Sequence, residues 1–457
     1  MNGEVCKLAE AVFLRPFGGD FLLIRSLPFT VVLIDRENVA QVRRMFENNA
    51  AMDSGSPMAR ELRELGFFSG RPEHPMDPNY VTLLLIASTA CNLRCPHCLA
   101  GDGDYGLAKA NMPGGVCQVS LDYQKKQLEN LLRKQLYEEI DLGVFFFGGE
   151  PLLNWETIKH TIRSAADTTA DLNRSFHTPV RTAFSISTNG TLLTKEVADF
   201  AAAYGVEMII SIDGPTHDQH RMYRNGRGSL EQAIAGYRLL VEAGVSIRIN
   251  TVVLPEDAIR IRERIAWFQE TMLQERHENT RVTFSFQRGP VGQASTALRP
   301  SCIYSTSCID TYISALQEFN QAGYETYETE LRRKIDAGGT FLKCSAGIER
   351  ICVVPNGNVY PCQSFIDDRF LIGNVLEPDF THCHEGIQRE FLKRNVFALT
   401  PCRDCYLQTI CGLSFDCASH SYYDLGDFFK VDPDTCRAGY AVQSKIFDGI
   451  VRELLTA

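Results

Sequence analysis

Three cysteines occur within eight residues in the stretch CNLRCPHC, at positions Cys91, Cys95 and Cys98. Thiolates at this spacing can bind one metal centre together. A structural zinc ion takes four protein ligands, and a 4Fe–4S cluster also takes four ligands in most proteins. Three thiolates would leave one iron of such a cluster open, so the sequence raises the question of what supplies the fourth ligand.

A second group of cysteines lies towards the C-terminus. This group includes Cys344, Cys352, Cys362, Cys402, Cys405, Cys411, Cys417 and Cys436. A CxxC pair can bind one metal ion and would alone indicate a zinc ribbon. The chain has 16 cysteines, and its first residues lack the basic and apolar segments of a signal peptide. Clustered cysteines in a cytoplasmic chain indicate metal binding rather than disulfides, so we expect a cytoplasmic metalloprotein.

Length and charge narrow the possible partners. The chain has 457 residues, of which 44% are hydrophobic, and a formal net charge of −10. That length is enough for about three domains. The negative charge argues against nucleic acid or an anionic membrane as the main partner. The longest apolar run, VTLLLIA at 81–87, is too short to cross a bilayer.

Short apolar runs alternate with helical segments between residues 80 and 290. The runs are VTLLLIA (81–87), VFFF (144–147), FSIS (184–187), MIISI (208–212), IRINTVV (247–253) and VTFSF (282–286). Such runs fit buried parallel strands, and Thr194 and Ser229 are candidate N-caps of helices between them. Six βα units predict an α/β fold, a partial (β/α)6 TIM-like barrel. A flat doubly wound sheet is the alternative.

The segments on either side of this region differ from it. Residues 1–79 predict a hairpin and two helices, a small winged-helix-like domain that ends in the linker SGRPEHPMDP. We expect a bridging segment over 291–339. Residues 340–440 are rich in cysteine, glycine and turn residues, which is typical of a small domain held together by metal. Residues 441–457 predict a C-terminal helix.

Unusual motifs follow the first four predicted strands. CNLRCPHC follows the first strand, GGEPLL (148–153) the second, STNG (187–190) the third, and SIDGP (211–215) ends the fourth. The carboxyl ends of parallel strands share one rim, where ligands bind in α/β folds. Asn-Gly and Asp-Gly are also ordinary turn dipeptides. Paired glycines let the backbone approach a ligand closely, and the acceptors of Glu150 would suit an ammonium group.

CxxxCxxC after a first strand, with GGEP after the second, resembles the radical S-adenosylmethionine (radical SAM) superfamily. The resemblance implies that Cys91, Cys95 and Cys98 bind a 4Fe–4S cluster. S-adenosylmethionine would then be the missing ligand, bound to the open iron through its amino and carboxylate groups. Its reductive cleavage in this family yields methionine and a 5′-deoxyadenosyl radical, which abstracts a hydrogen atom from the substrate.

The resemblance also implies a set of cofactor-binding residues. They are Gly148, Gly149, Glu150, Ser187, Asn189, Ser211, Asp213, Arg221 and His97. The first three would contact the methionine amino group, and His97 would stack on the adenine where relatives often have an aromatic residue. Arg221 or Arg224 would pair with the carboxylate as a bidentate fork, or both belong to a solvated loop. The sequence does not identify a catalytic base.

The later cysteines resemble the SPASM domain, which holds two auxiliary 4Fe–4S clusters. The family pattern C-x2-C-x5-C-x3-C is matched except that five residues, not three, separate the last two cysteines, Cys411 and Cys417. The resemblance implies an outer cluster on Cys402, Cys405, Cys411 and Cys436, and an inner cluster on Cys344, Cys362 and Cys417. Cys352 is either a fourth inner ligand or a buried core residue.

SPASM-type radical enzymes mostly modify peptides, and their auxiliary clusters bind substrate or accept an electron. Residues 1–79 resemble the leader-recognition domain of peptide maturases, which takes the leader as an added strand. CNLRCPHCLAGDGDYG is similar to maturases of thioether-linked peptides. We therefore expect a precursor peptide with a leader as substrate, and an electron donor such as flavodoxin or ferredoxin. A thioether is the first expectation and a carbon–carbon, cyclophane-type link the second.

Two other functions remain open at this point. A formylglycine-forming sulfatase maturase would need an Asp base directly after the YPC cysteine, but the chain has Gln363 there, which cannot accept the proton. A zinc-stabilised binding protein without radical chemistry is the non-enzymatic alternative. The GGEP motif argues against it, and iron content would decide between the two.

Overall fold

The computed structural model describes residues 6–47, 56–69, 79–101, 103–253, 260–272, 279–286, 314, 317–318, 327–342, 344–378, 380–411 and 417–456. The chain forms two compact units. The terminal unit comprises Met1–Pro75, Tyr327–Cys344 and Lys393–Ala457, and the central unit comprises Met76–Thr326 and Ser345–Leu392. This division cuts across the boundaries expected from the sequence, since the cysteine-rich region 340–440 contributes to both units. Most of the expected bridging segment 291–339 lies outside the described residues.

The described part of the chain contains thirteen strands and twelve α-helices. The strands are β1 Cys6–Ala9, β2 Val12–Phe17, β3 Asp20–Ser26, β4 Phe29–Ile34, β5 Tyr80–Ser88, β6 Ile140–Gly148, β7 Val180–Thr188, β8 Glu207–Ser211, β9 Ile247–Val253, β10 Thr280–Phe286, β11 Arg350–Val353, β12 Asn358–Tyr360 and β13 Gly373–Asn374. The helices are α1 Val39–Glu47, α2 Pro57–Glu64, α3 Gly114–Lys134, α4 Trp155–Ser175, α5 Lys195–Ala203, α6 His217–His220, α7 Leu230–Glu242, α8 Ile261–Thr271, α9 Tyr327–Asp336, α10 Phe380–Leu392, α11 Ala418–Leu425 and α12 Pro433–Thr456. Among the described residues, none of these helices is long and apolar enough to cross a membrane.

The core of the central unit is a sheet built on the six predicted strands. β5 to β10 pair in parallel and in chain order, so the predicted parallel α/β architecture is confirmed. Leu83, Leu84, Leu85 and Ile86 of β5 are all fully buried. An apolar run on both strand faces is what a sheet covered on both sides requires.

The sheet continues beyond β5 into the cysteine-rich region, which the sequence did not predict. β11 pairs in parallel with β5, from Arg350 opposite Thr82 to Val353 opposite Leu85. β12 and β13 then add antiparallel strands. The chain reverses between β11 and β12 at Asn356-Gly357, where Gly357 has a φ of 88°, a conformation that favours glycine. The extension places this hairpin beside the strand that precedes the first cysteine motif.

The terminal unit begins with a four-stranded antiparallel sheet in the order β1-β2-β3-β4. The predicted hairpin corresponds to β3 and β4, and the two predicted helices are α1 and α2. Ser56 caps α2 by accepting a hydrogen bond from the Ala59 N–H at 3.1 Å. Val42 of α1 and Leu62 of α2 share one buried core with sheet residues such as Leu14, so the helices cover the apolar face of the sheet.

Candidate active site and metal centres

The paired glycines lie where β6 ends against the residues before the first cysteine. The Gly149 N–H donates to Ser88 O at 2.9 Å, and the Glu150 N–H donates to Ala90 O at 2.8 Å. A Cβ at Gly148 would lie 2.2 Å from Ser88 O, and one at Gly149 would lie 2.4 Å from Ala90 O. Only glycine allows this approach, so the motif sets the position of the loop that carries Cys91.

The three thiols of the first motif lie close enough to interact electrostatically. Burial raises the pKa of Cys91 to about 12, with a further contribution from Glu150. Burial also raises the pKa of Cys95 to about 11, although Arg221 opposes the shift. Thiols in such surroundings ionise when they bind a positively charged metal centre.

The Glu150 carboxylate is completely buried and bonds to the protein itself. Its Oε1 accepts hydrogen bonds from the Leu152 N–H at 3.0 Å and the Thr188 hydroxyl at 2.8 Å, and its Oε2 accepts from the Asn189 N–H at 2.8 Å. Burial raises the pKa of Glu150 to about 7, and these three donors oppose the rise. The Glu150 side chain thus joins the end of β6 to the end of β7, and its contact with the cofactor amino group remains a prediction.

The STNG turn is hydrogen-bonded to the cysteine loop. The Asn189 Nδ2 donates to Asn92 Oδ1 at 2.9 Å and lies 3.9 Å from Cys91 Sγ. Asn92 in turn donates to the Thr191 hydroxyl at 2.8 Å. Ser187, on β7, is half-buried. Asn92 and Thr191 were not predicted from the sequence, because polar residues in a loop are too common to indicate a site.

Asp213 and Arg221 form a buried ion pair at the end of β8. Arg221 Nε donates to Asp213 Oδ2 at 2.6 Å and Nη2 donates to Oδ1 at 3.2 Å, while the Val252 N–H also donates to Oδ1 at 2.8 Å. Burial alone would raise the pKa of Asp213, but the Arg221 charge and these hydrogen bonds lower it to about 2. Arg221, assigned to the cofactor carboxylate, thus pairs with Asp213 and also contacts Cys95. Ser211, before this pair, is half-buried.

His217 supports this ion pair and was missed from the sequence. Its Nδ1 accepts a hydrogen bond from the Asp213 N–H at 3.2 Å, so the proton is assigned to Nε2. Nε2 lies 3.0 Å from the hydroxyl of Ser229, which donates to Arg221 O at 2.8 Å. Ser229 therefore makes no capping bond to α7. The sequence signal that could have identified His217 is its position four residues before Arg221.

His97 lies beside the ion pair. Within the described part of the chain neither buried ring nitrogen has a hydrogen-bond partner, and Nε2 is 3.8 Å from Asp213 Oδ2. Burial and then Arg221 lower the pKa of His97 to about 4, so the ring is neutral at pH 7. Unsatisfied buried polar atoms cost about 1–3 kcal/mol each. A flat, polar ligand beside this ring would satisfy them, so the site fits S-adenosylmethionine next to a cluster.

The four cysteines predicted for the outer cluster come together in the terminal unit. The thiols of Cys411, Cys402 and Cys436 all lie close enough to Cys405 to act on its charge. Burial is the main cause that raises the pKa of Cys405 to about 12. The Cys405 N–H donates to Cys402 O at 3.0 Å, which closes the tight turn of the CxxC pair.

The N-terminal sheet braces this cysteine loop within the terminal unit. Arg15 Nη1 donates to the Tyr406 hydroxyl at 2.6 Å, and the guanidinium lies 4.7 Å from the centre of the Tyr406 ring. The same guanidinium pairs with Asp448 at 2.8 Å. Gln408 Nε2 donates to the Ser26 hydroxyl at 2.7 Å. The sheet and the loop that carries Cys405 therefore share one polar and aromatic interface.

The cysteines predicted for the inner cluster are divided between the units. Cys352, on β11, is completely buried, and the nearby Cys362 thiol contributes with burial to raise its pKa. Cys362 precedes a short 3₁₀-helix, and its Sγ accepts from the Ser364 N–H at 3.4 Å. Cys344 and Cys417 belong to the terminal unit. The structure thus brings Cys352 and Cys362 together in the central unit.

The chain is similar to characterised proteins along much of its length. It is 24% identical over 374 residues to the radical SAM cyclopropyl synthase TigE of Paramaledivibacter caminithermalis, and this alignment covers 77% of this chain and 71% of TigE. It is 27% identical over 292 residues to the mycofactocin maturase MftC of Mycobacterium tuberculosis, and this alignment covers 63% of this chain and 65% of MftC. The alignments therefore span about two thirds of these relatives.

Solved structures share the fold. anSMEcpe with bound AdoMet and the Kp18Cys peptide superposes with a TM-score of 0.65 at 18% identity, covering 83% of this chain and 100% of that chain. SuiB of Streptococcus suis bound to the precursor peptide SuiA superposes with a TM-score of 0.52 at 15% identity, covering 93% of this chain and 99% of that chain. The family model of the radical SAM superfamily matches residues 85–267. Residues 85–267 therefore form a radical SAM domain, and the protein is an enzyme that contains this domain.

Proposed function

We propose that this enzyme modifies a ribosomally made precursor peptide by radical chemistry. The observation that carries the proposal is the cysteine loop held against the glycine turn. Backbone bonds from Gly149 and Glu150 fix the residues before Cys91, and the unsatisfied His97 ring lies nearby. When bound, S-adenosylmethionine and the 4Fe–4S cluster supply the radical that abstracts hydrogen. In this arrangement Cys91, Cys95 and Cys98 hold the cluster.

The other site residues organise the cofactor pocket. Glu150 holds the Asn189 turn, and Arg221 holds Asp213 ionised within the pocket. We assign the neutral ring of His97 to a position beside the adenine, and the backbone of Gly148 and Gly149 to the methionine end. We assign Ser187 and Ser211, which are half-buried, to the ribose and carboxylate. These roles follow the resemblance in sequence and agree with the burial of each residue.

Two features support a peptide substrate. The relatives TigE and MftC are named as a cyclopropyl synthase and a maturase, and two solved structures of this fold contain bound peptides. β1 and β4 are the edges of the N-terminal sheet, and an edge strand can accept an extended peptide as a further strand. We propose that this sheet binds the leader. Flavodoxin or ferredoxin would supply the electron.

We propose a thioether as the bond formed, with carbon–carbon closure as the second candidate. In either reaction the radical removes one hydrogen atom from the peptide, a proton and an electron leave, and the new bond forms. The loop sequence CNLRCPHCLAGDGDYG supports the thioether, whereas similarity to a cyclopropyl synthase favours the carbon–carbon bond. Gln363, which follows Cys362, argues against formylglycine formation because a carboxamide cannot act as the base.

The first test is the metal content of anaerobically reconstituted protein. Three 4Fe–4S clusters predict about twelve irons and twelve sulfides per chain. About eight would mean that one auxiliary site is empty, and zinc without iron would contradict radical chemistry. Cys91→Ser should remove about four irons and abolish S-adenosylmethionine cleavage. Cys117→Ala, at a buried thiol on α3 outside the proposed ligand sets, is the matched control and should retain both.

The bond type is tested with the encoded precursor peptide. Co-expression with the enzyme should yield a peptide lighter by a pair of hydrogen atoms, measured by mass spectrometry. Alkylation with iodoacetamide then separates the candidates, because a thioether consumes a cysteine thiol and a carbon–carbon bond leaves it reactive. An unmodified peptide, despite full iron content and cofactor cleavage, would contradict the peptide assignment.

A further inference from the structure

Tyr105 has a buried hydroxyl that the site described above does not use. It lies seven residues after Cys98, in the loop between β5 and α3. Its ring is half-buried, but the oxygen is enclosed and has no hydrogen-bond partner among the described residues. A buried hydroxyl is destabilising unless it finds an acceptor. The position therefore favours an acceptor other than the described side chains and backbone.

Three cysteine thiols lie within electrostatic range of this hydroxyl. The ring packs against the core cluster that contains Cys352, Ile86 and Tyr360. The thiols of Cys352, Cys98 and Cys362 act electrostatically on the hydroxyl, with Cys352 having the largest effect. Burial and these thiols raise the pKa of Tyr105 well above its ordinary value, so the group keeps its proton and remains a donor. Tyr105 thus lies between the first cysteine motif and the inner auxiliary pair.

The backbone is strained at this residue. Tyr105 has a φ of 59°, among glycines of similar conformation at Gly101, Gly103 and Gly106. The left-handed region is unfavourable for a residue other than glycine. The Tyr105 N–H bond to Ala100 O at 2.9 Å holds the conformation. Strain kept at a buried polar side chain is a feature of functional positions.

We propose that Tyr105 donates its O–H to a sulfur of the auxiliary cluster held at Cys352 and Cys362 and raises the reduction potential of that cluster. The inference rests on the proposed function, which supplies the auxiliary cluster. A hydrogen bond to a cluster sulfur stabilises the more negative, reduced state, and such bonds are among the determinants of Fe–S potentials. By donating this hydrogen bond, Tyr105 makes the auxiliary cluster easier to reduce.

The test is an EPR-monitored redox titration of the reconstituted full-length enzyme and its Tyr105→Phe variant. The variant should have unchanged iron content and a more negative auxiliary potential. A tenfold change in the one-electron equilibrium corresponds to 59 mV, and we expect a shift of about this size. The radical SAM cluster should keep its potential. Tyr123→Phe is the matched control, since it removes a buried hydroxyl that is bonded to His384 at 2.6 Å, outside the cysteine sets.

A second measurement does not depend on the reduction potential of the auxiliary cluster in Tyr105→Phe. Pulsed EPR of the reduced auxiliary cluster in H₂O and D₂O should detect a strongly coupled exchangeable proton in the wild type that is lost in Tyr105→Phe. Unchanged potentials and an unchanged proton coupling would overturn the proposal, as would a shift confined to the cluster at Cys98. An iron count of about four per chain would overturn the auxiliary cluster itself, and this result is distinguishable because it precedes the titration.

Discussion

Removing the positive partner of Asp213 is the sharpest test of the site architecture. In Arg221→Met the carboxylate loses hydrogen bonds of 2.6 and 3.2 Å and retains the Val252 N–H. Asp213 is 1% exposed, so water cannot replace the lost partner. Breaking a buried pair by removing one member costs about 3–5 kcal/mol. Local opening of the site should therefore become at least a hundredfold more frequent.

Hydrogen–deuterium exchange of the β9 segment Ile247–Val253 measures this opening, because the Val252 amide bonds directly to Asp213. The double variant Asp213→Asn with Arg221→Met should recover much of the protection, since removing both charges leaves none buried alone. Asp199→Asn is the control, because its pair with Lys195 is exposed and should contribute under about 1 kcal/mol. Two results would contradict a stabilising Asp213–Arg221 pair. One is exchange in Arg221→Met at the wild-type rate, and the other is a loss of protection in the double variant equal to the sum of the losses in the two single variants.

The pH dependence of the same measurement has a definite sign. The pKa of Asp213 falls from 3.8 to about 2 on folding, which corresponds to about 2.5 kcal/mol. The folded state binds this proton more weakly than the unfolded state, so the stabilisation is complete above about pH 4 and is lost as the pH falls through about 2. In Arg221→Met burial dominates and raises the pKa, so that variant should instead become less stable as the pH rises. A parallel loss in both proteins would contradict the assignment.

Three further outcomes are expected. Gly149→Ala should displace the cysteine loop and lower iron content by about four per chain, because its Cβ would lie 2.4 Å from Ala90 O; Gly115→Ala, which has no atom within 4 Å, should retain all iron. The pKa of Glu150 is raised to about 7, so its contribution to stability is complete below pH 4.5 and is lost as the pH rises through 7. The melting temperature of the wild type should therefore decrease as the pH is raised from 4.5 to 7, whereas that of Glu150→Gln should not decrease. Arg15→Ala should cost about 2–3 kcal/mol by loss of its charged hydrogen bonds and speed iron loss to a chelator, whereas Lys7→Ala, in a more exposed pair, should change stability by under about 1 kcal/mol; equal effects of these two variants would contradict the bracing role of Arg15.

Local sequence patterns were sufficient for the parallel strands because short runs of apolar, β-branched and aromatic residues are typical of strands in a parallel sheet. β5 to β10 follow the six apolar runs, and Thr194 caps α5 by accepting from the Val197 N–H at 3.3 Å. Ser229 shows the limit of such patterns. Its hydroxyl bonds to Arg221 O and faces His217, because a buried hydroxyl takes the acceptor that tertiary packing provides. Capping propensity alone does not include that competition.

The sequence by itself determined the chemistry that this chain can support. The type and spacing of the ligands are set by the order of residues along the chain. The motif Cys91–Cys95–Cys98 and the glycine pair at the end of β6 could therefore be identified from the sequence, and both lie within residues 85–267, which match the radical SAM family model. Only the tertiary structure decided what each charged side chain does. Arg221 and Glu150 bond to the protein, because burial obliges a charged group to find partners, and partners distant in sequence become neighbours only when the strands assemble.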